Sequence, residues 1–309
     1  FIFGILVACG LVYAGFYRYA QDLLGIVQVR AALLALFLAF GSGFIGFLDD
    51  YIKVVKHRNL GLLAWQKLIM QFIVTGGFLV GLHMQGLLTT IIMLPFIGAV
   101  DLGWVYYPIA FFGIIFLVNA VNLTDGLDGL CSCVTFVSML GYLLAASMLS
   151  FYHVAVLAAA TAAAAAGFLV WNFYPAKVFM GDTGSLLLGF VIAFLGLKFY
   201  DLNINGEFYR IDAAPAVFLG IVFIPAFDTV RVFCVRMAAG LSPFYPDRRH
   251  IHHKLLRIGL THLQGTLVIV VLQACFILLN FLLRNVNINL LFGINLVLGV
   301  LLIQGLNAL

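Results

Sequence analysis

Long apolar runs, each about as long as a membrane-spanning helix, follow one another along almost the entire chain. A helix needs about 20 mostly apolar residues to cross the hydrocarbon core of a bilayer. Ten such runs can be placed, at roughly 1–17, 31–48, 67–83, 104–121, 133–150, 153–171, 184–200, 214–237, 266–283 and 287–306. Charged residues are only 9% of the chain, too few to cover a water-soluble surface. The sequence therefore predicts an all-α polytopic membrane protein with about ten transmembrane helices.

One further apolar segment, residues 87–100, does not fit this pattern. It is short and contains Pro95 and Gly98, so we interpret it as a re-entrant or interfacial piece. We expect the spans to form a single transmembrane helical domain over residues 1–309.

The basic residues are unevenly distributed once the ten spans are threaded alternately through a membrane. Eleven of the sixteen Lys and Arg residues fall on one side, in or beside the segments 49–66, 122–132, 172–183 and 238–265. Loops rich in Lys and Arg stay in the cytoplasm. This side is therefore predicted to be cytoplasmic.

The same threading places four polar clusters on the cytoplasmic side. The densest is Asn119–Leu130, with two amides, a hydroxyl and two carboxylates directly after an apolar run. The others are Asp49–Asp50, Gly181–Ser185 and His250–His253. Taken singly, each has an ordinary structural interpretation, such as a helix N-cap, a turn or a solvated helix end. Together they favour a site for a polar ligand, because ionisable groups at a membrane boundary are costly to keep.

The residue types in these clusters limit the chemistry. The carboxylates offer hard oxygen atoms, which suit Mg²⁺ or Mn²⁺; they are Asp49, Asp50, Asp125, Asp128 and Asp182. The five cysteines lie in or beside apolar runs, without the spacing of a zinc site. Basic neighbours would neutralise the oxygens of a diphosphate, namely Lys53, Lys67, Lys177, Arg248 and Arg249. This combination favours a metal-assisted phosphoryl transfer at a membrane surface.

Four segments, in this order, resemble the signature blocks of the polyprenyl-phosphate N-acetylhexosamine-1-phosphate transferases, glycosyltransferase family 4. They are Gly46–Lys53, Asn119–Leu130, Pro175–Ser185 and Pro246–His253. The resemblance spans nearly the whole chain and implies a multi-pass enzyme of the bacterial inner membrane with a cytoplasmic active site. In that family, the phosphate of undecaprenyl phosphate attacks the β-phosphate of a UDP-sugar, with Mg²⁺, and UMP leaves.

The two halves of the chain resemble different branches of this family. The front half, with Asp49–Lys56 and Asn122–Asp128, is similar to the phospho-N-acetylmuramoyl-pentapeptide transferases of peptidoglycan synthesis. The back half, with Phe227–Thr229 and Ser242–Lys254, is similar to the WecA and TagO branch, which uses UDP-N-acetylglucosamine. Two apolar runs follow the histidines, as in that branch.

The resemblance therefore predicts transfer of N-acetylglucosamine-1-phosphate from UDP-N-acetylglucosamine to undecaprenyl phosphate, the first membrane step of a cell-envelope polysaccharide such as lipopolysaccharide. The alternative is the phospho-N-acetylmuramoyl-pentapeptide transfer of peptidoglycan synthesis.

The resemblance also implies roles for individual residues. Asp182 is the expected metal ligand, and Asp49 and Asp50 are candidates for the base that prepares the lipid phosphate, or for holding metal or orienting Lys67. The residues expected to bind the nucleotide and sugar are Asn119, Asn122, Asp125, Asp128 and Asn172, with Phe179 stacking on uracil. Those expected to grip the diphosphate are Arg249, His250, His252 and His253, and we assign a catalytic role to His252 among them.

Family members carry a further N-terminal helix and cytoplasmic loop before the first span of this chain, and we expect that these are missing here. The expected partners are the two substrates and membrane lipid, with no nucleic acid, and a homodimer is one candidate for the oligomeric state. A secondary transporter is the alternative from another class, but it predicts charges near span centres and an internal repeat. Asp228 is the one charge that meets the first condition, and no repeat is found. A CDP-alcohol phosphotransferase would need an Asp-Gly-x-x-Ala-Arg sequence, which does not follow Asp125 or Asp128.

Overall fold

The fold is an assembly of long apolar helices. A computed structural model describes residues 26–55, 61–205, 210–245 and 247–308. Its helices and strands are α1 (Ile26–Val55), α2 (Ala64–Met84), β1 (Ile91–Leu94), β2 (Gly98–Asp101), a 3₁₀ turn (Gly103–Val105), α3 (Tyr106–Thr124), α4 (Leu130–Met148), α5 (Tyr152–Asn172), α6 (Gly181–Asn205), α7 (Ala214–Ile221), α8 (Phe223–Ala238), α9 (Ile251–Arg257), α10 (His262–Leu282) and α11 (Ile288–Ala308).

The helices match the predicted spans closely. Among the described residues, eight helices are long and apolar enough to cross a membrane, or nine if the bent pair α7–α8 counts as one span. These nine correspond in order to the nine predicted runs from 31–48 to 287–306. The one remaining predicted run, residues 1–17, lies outside the described residues. The prediction of an all-α membrane protein is confirmed.

Helix α6 forms the centre of the assembly and is buried along most of its length. The ring of Phe190 in α6 packs edge-to-face on the ring of Phe78 in α2, with the ring centroids 5.2 Å apart. On the α3 side, Gly189 lets the backbones approach so closely that a Cβ there would lie 2.7 Å from the Val118 Cα. Without a hydrophobic force between helices in lipid, such close contacts hold membrane helices together.

The predicted run 214–237 is not one straight helix, because α7 and α8 meet at an 84° bend around Val222. A bend frees backbone hydrogen-bonding groups, which are expensive to leave unpaired inside a membrane. The Gln273 side chain satisfies three of them, donating to the Gly220 and Ile221 carbonyls and accepting from the Ile224 N–H. Ser138 donates to the same Ile221 carbonyl at 2.7 Å.

Residues 87–100, predicted to be re-entrant or interfacial, contain most of a two-stranded hairpin. Strands β1 and β2 pair antiparallel, with Ile91 opposite Asp101 and Leu94 opposite Gly98. The hairpin is tied to the carboxyl end of α6, where the Tyr200 hydroxyl accepts from the Met93 N–H at 2.8 Å.

Candidate functional site

Three carboxylates meet at the end of the helix assembly opposite the hairpin. Asp49 and Asp50 come from the last turns of α1, and Asp182 from the first turn of α6. One oxygen from each carboxylate lies within 4.8 Å of the other two. Asp49 is buried, and the other two are partly exposed. The sequence flagged each of these residues, but their meeting depends on α1 packing against α6.

Asp50 caps the amino end of α6. Its Oδ2 accepts from the Thr183 N–H at 3.0 Å and the Thr183 hydroxyl at 2.7 Å, and its Oδ1 accepts from the Asp182 N–H at 3.3 Å. The first N–H groups of a helix have no partner within it, and its dipole favours negative charge there. Gly181 permits this contact, since its φ is +63° and a Cβ would lie 2.6 Å from Asp50 Oδ2.

Two lysines neutralise part of the acidic charge. The Lys67 Nζ donates to Asp182 Oδ2 at 2.7 Å. The Lys53 Nζ lies 2.5 Å from Asp49 Oδ2, 3.5 Å from Asp182 Oδ2 and 3.9 Å from Asp50 Oδ1. Three carboxylates and two ammonium groups therefore share this end of the helices.

The two asparagines predicted on α3 have different surroundings. Asn122 donates to Asp182 Oδ1 and to the Ser185 hydroxyl, both at 2.8 Å, so it orients the proposed metal ligand. Asn119 exchanges hydrogen bonds with the buried Gln71 of α2. Asn119 thus joins two helices one turn below the carboxylates. Gln71 was missed, and its signal was a lone amide within an apolar run.

The loop after α3 places Asp125 beside the carboxylate cluster. Burial is the main cause that raises the pKa of Asp125 to about 7, followed by the negative charges of Asp182, Asp50 and Asp128. Asp128 itself accepts from the Ala176 N–H at 3.0 Å and so holds the loop between α5 and α6.

Asn172 also stabilises the loop between α5 and α6. Its side chain is buried, accepts from the Ser132 hydroxyl at 2.7 Å and donates to the Val178 carbonyl at 3.0 Å. The direct nucleotide contact expected for Asn172 stays a prediction, and its side chain is engaged by Ser132 and Val178 in this structure. Phe179, in contrast, is 75% exposed and free to stack on a planar ring.

The histidine segment is anchored by Asp228 of the bent helix α8. His250 Nδ1 lies 2.9 Å from Asp228 Oδ2, and Arg231 donates to Asp228 Oδ1 at 2.6 Å. The same carboxylate accepts from the Ile251 N–H, which caps the short helix α9. His250 is buried, and its Nε2 has no hydrogen-bond partner among the residues that the structure describes. Asp228 thus holds the start of the histidine segment through His250 and the Ile251 N–H.

His252 reaches the Asp125 loop, and its ring centroid lies 4.2 Å from that of His253. Gly126 makes room for the His252 ring, because a Cβ at Gly126 would lie 2.3 Å from His252 Nε2. Burial and the neighbouring His253 and His250 lower the pKa of His252 to about 3. His252 is therefore a neutral imidazole near pH 7, able to donate one hydrogen bond but not to supply positive charge. The pKa of His253, which is less buried, is lowered by the same kind of causes.

Arg249 is held at the edge of the site by an acidic neighbour. Its Nε lies 3.3 Å from Asp247 Oδ2, and Asp247 also pairs with two nitrogens of the buried Arg236, at 2.9 and 3.0 Å. Arg236 keeps the pKa of Asp247 low, mainly through that hydrogen bond. The Arg236–Asp247 pair fixes the loop before the histidines, and it was not predicted.

The carboxylate cluster suits magnesium by its donor atoms. All three side chains offer hard oxygens, and Mg²⁺ is usually bound through one or two carboxylates plus waters and substrate phosphates. Asp49 and Asp182 have fewer backbone partners than Asp50, whose oxygens accept from two N–H groups of α6 and from the Thr183 hydroxyl. Asp182, supported by Asn122, and Asp49 would therefore be the ligands.

Comparison with known proteins gives one family and a consistent group of relatives. The family model described as glycosyl transferase family 4 matches residues 32–200, more than half of the chain. The range includes all five carboxylates of the first two clusters and of the α6 end, whereas Asp228 and the histidines lie beyond it.

The chain is similar to relatives named phospho-N-acetylmuramoyl-pentapeptide-transferase. That of Halalkalibacterium halodurans is 45% identical over 165 residues, which is 53% of this chain and 51% of the relative. Those of Clostridioides difficile and Bacillus cytotoxicus are 47% identical over 176 residues and 49% over 161, covering 55% and 52% of this chain and 55% and 49% of the relatives. The chain thus spans about half the length of the curated relatives it matches.

Proposed function

This chain belongs to glycosyl transferase family 4, and from that premise we propose that it transfers a sugar 1-phosphate from a uridine diphosphate sugar to a polyprenyl phosphate. The observation that carries the proposal is the meeting of Asp49, Asp50 and Asp182 with two lysines at one end of a bundle of apolar helices. A diphosphate and a divalent cation need that mixture of charges, and a lipid substrate needs the apolar surroundings.

In this proposal the chain's own residues divide the work. Asp182 and Asp49 would hold magnesium, which would offset the negative charge of the diphosphate oxygens. Lys67, 2.7 Å from Asp182, lies where it can also donate to a phosphate oxygen. A carboxylate has about four lone-pair directions, and Asp50 already uses three of them on α6. We therefore assign the positioning of α6 to Asp50 and keep metal binding with Asp49 and Asp182.

The nucleotide side of the site is assigned to the loops around Asp125. Asp128 and Asn172 hold the loop that carries Phe179, and the exposed ring is placed to stack on uracil. His252 and His253 close this side with neutral imidazoles, and Arg249 supplies positive charge near the diphosphate. Asn122 acts through Asp182 and Asn119 through α2, so we propose positioning roles for both.

An apolar cavity offers room for the lipid tail. Its volume is about 480 Å³, and it extends from the hairpin to the bent helices α7 and α8. Its lining includes Ile109, Leu197, Phe218, Phe227 and Phe292. A polyprenyl chain is apolar along its whole length and would be buried there without any polar partner.

For the donor sugar, the relatives favour the alternative over the nucleotide predicted first. All three are named for the muramoyl-pentapeptide transfer, at 45–49% identity. We therefore propose UDP-N-acetylmuramoyl-pentapeptide as the donor and the bacterial inner membrane as the location, with the active site in the cytoplasm. We further propose that residues 1–309 act as one catalytic domain.

A second donor, UDP-N-acetylglucosamine, is favoured by the back half of the chain. The Arg236–Asp247 pair and the Asp228–His250 contact build the histidine segment that resembles the branch using that sugar. This segment lies outside the family match. A small acetamido sugar would also fit a loop closed by Arg249 and imidazoles better than a lactyl-peptide arm would.

The two donors can be separated with the purified chain, undecaprenyl phosphate and magnesium. We expect UMP release with UDP-N-acetylmuramoyl-pentapeptide and none with UDP-N-acetylglucosamine. The opposite pattern would reassign the donor to the second candidate. Absence of UMP release with any UDP-sugar, from a folded protein, would contradict the proposed reaction itself.

A further inference from the structure

Lys53 occupies the place among the three carboxylates that a divalent cation would need. Its Nζ is within 4 Å of all three side chains, at 2.5 Å from Asp49, 3.5 Å from Asp182 and 3.9 Å from Asp50. Lys67, the other lysine of the cluster, lies 2.7 Å from Asp182 and forms no other ion pair among the described residues. Of the two lysines, only Lys53 therefore lies within 4 Å of all three carboxylates.

We propose that Lys53 is a tethered counter-ion that fills the metal site in the metal-free enzyme and must leave when the divalent cation binds. An ammonium group and a magnesium ion cannot both lie within contact distance of the same Asp49 and Asp182 oxygens, because they repel each other and need the same lone pairs. The inference rests on the metal assignment in the proposed function and adds a residue that opposes metal binding.

Lys53 is placed to make this exchange. It lies two residues before the end of α1, and its side chain is 37% exposed, so the ammonium group can turn into solvent on its flexible stem. Asp49 cannot move in the same way, since it is buried and its Oδ1 accepts from the Leu62 N–H at 2.7 Å. The carboxylates therefore stay in place, and only the cation between them can be exchanged.

The exchange has two consequences for the enzyme. Without metal, Lys53 prevents the three carboxylates from repelling one another, so the ends of α1 and α6 stay together. With metal, the released ammonium group lies within a side-chain length of the cation and can pair with a substrate phosphate. Magnesium affinity is kept low enough that the site is completed only when metal and substrate phosphate arrive together.

The test measures metal binding directly. The full chain in detergent is titrated with Mn²⁺, and free Mn²⁺ is followed by electron paramagnetic resonance. Lys53→Met should tighten Mn²⁺ binding at least fivefold, whereas Lys53→Arg, which keeps the charge, should stay within twofold of the wild type. Lys254→Met is the matched control, since Lys254 pairs with Asn307 at the same end of the molecule; it should not change the affinity.

A melting experiment keeps the test decisive if Lys53→Met folds poorly. Lys53→Gln retains a hydrogen-bond donor without the charge, and its melting temperature should rise more on adding Mg²⁺ than that of the wild type. Equal or weaker metal binding in both neutral variants, with binding still lost in Asp182→Asn, would overturn the role of Lys53 and leave the metal site standing. Metal binding that survives Asp182→Asn would remove the metal assignment and this inference together.

Discussion

The aspartates of this site have different roles although their side chains are identical. Asp50 caps a helix, Asp182 is held between Lys67 and Asn122, and Asp128 fixes a loop through the Ala176 N–H. Substitutions of these carboxylates should therefore differ in kind. Some should remove chemistry from a folded protein, and others should loosen the fold first.

Asp182→Asn should lower turnover by at least about 100-fold with little loss of stability. The amide keeps the size of the side chain but loses the negative charge that a metal needs. Turnover is measured as UMP release, and folding by the melting temperature. Asp101→Asn, which changes a carboxylate of the hairpin at the other end of the molecule, should keep full activity. Near-normal turnover of Asp182→Asn in magnesium would contradict the metal assignment.

The raised pKa of Asp125 predicts that the stability of the protein depends on pH. This pKa is raised from 3.8 to about 7, so the native state holds a proton that the unfolded state releases earlier. The destabilising effect of ionising Asp125 therefore grows between these two pH values and is complete above about pH 7. Asp125→Asn should raise the melting temperature by about 5 °C at pH 8 and much less at pH 4.5, measured without metal.

Asp247→Asn is the matched control of opposite sign. The pKa of Asp247 is lowered by its hydrogen bond to Arg236, so the ionised form stabilises the native state. Its substitution should lower the melting temperature at pH 8 and have a smaller effect as the pH falls through the native pKa. Equal effects of Asp125→Asn at both pH values would contradict the raised pKa.

At the scale of elements, the site depends on how closely α1 and α6 approach. Gly46 of α1 lies against the first turn of α6, where a Cβ would be 2.1 Å from the Asp182 carbonyl oxygen. The obstacle is backbone, which cannot rotate away as a side chain would. The contact thus sets the distance between the Asp49–Asp50 pair and Asp182.

Gly46→Ala should separate the two helices and destabilise the protein by about 1–3 kcal/mol. Because the carboxylates move apart, Mn²⁺ binding should weaken along with turnover. Gly77→Ala in α2 is the matched control, since a Cβ there meets no atom within 4 Å. It should leave metal binding unchanged and stability unchanged or slightly higher, because Ala favours a helix. Equal effects of the two substitutions would show that the α1–α6 distance does not set the site.

At the scale of the whole molecule, the order of spans assigns the two ends to opposite sides of the membrane. The carboxylates, the Asp125 loop and the histidines share one end, through contacts such as Asp182 with Lys67 and His252 with Gly126. The hairpin and the carboxyl end of α6 share the other.

A cysteine-labelling experiment tests this sidedness in a variant without the native cysteines. Ser242→Cys, in an exposed loop before the histidines, should react with a membrane-impermeant reagent only from the cytoplasmic side. Ile97→Cys, at the 70% exposed tip of the hairpin, should react only from outside intact cells. Labelling of both positions from the same side would overturn the predicted orientation.

The sequence by itself determined the helical class, the number and order of the described spans, and which polar segments lie at their ends. It could do so because a bilayer forces every spanning segment to be a long apolar helix, which leaves the polar residues at the boundaries. The polar segment Asn119–Leu130 could be recognised for the same reason, because it follows directly on an apolar run.

Only the tertiary structure decided what each polar residue does. Asp50 caps α6, Asn172 is buried behind a loop, Lys53 sits among three carboxylates, and the run 214–237 bends at Val222. Several of these contacts join residues that are distant in the sequence, such as Asp50 and Thr183, which are 133 residues apart. Hydropathy records whether a side chain can lie in lipid, but a hydrogen-bond partner is set by how helices pack, and that depends on small residues such as Gly46 and Gly181.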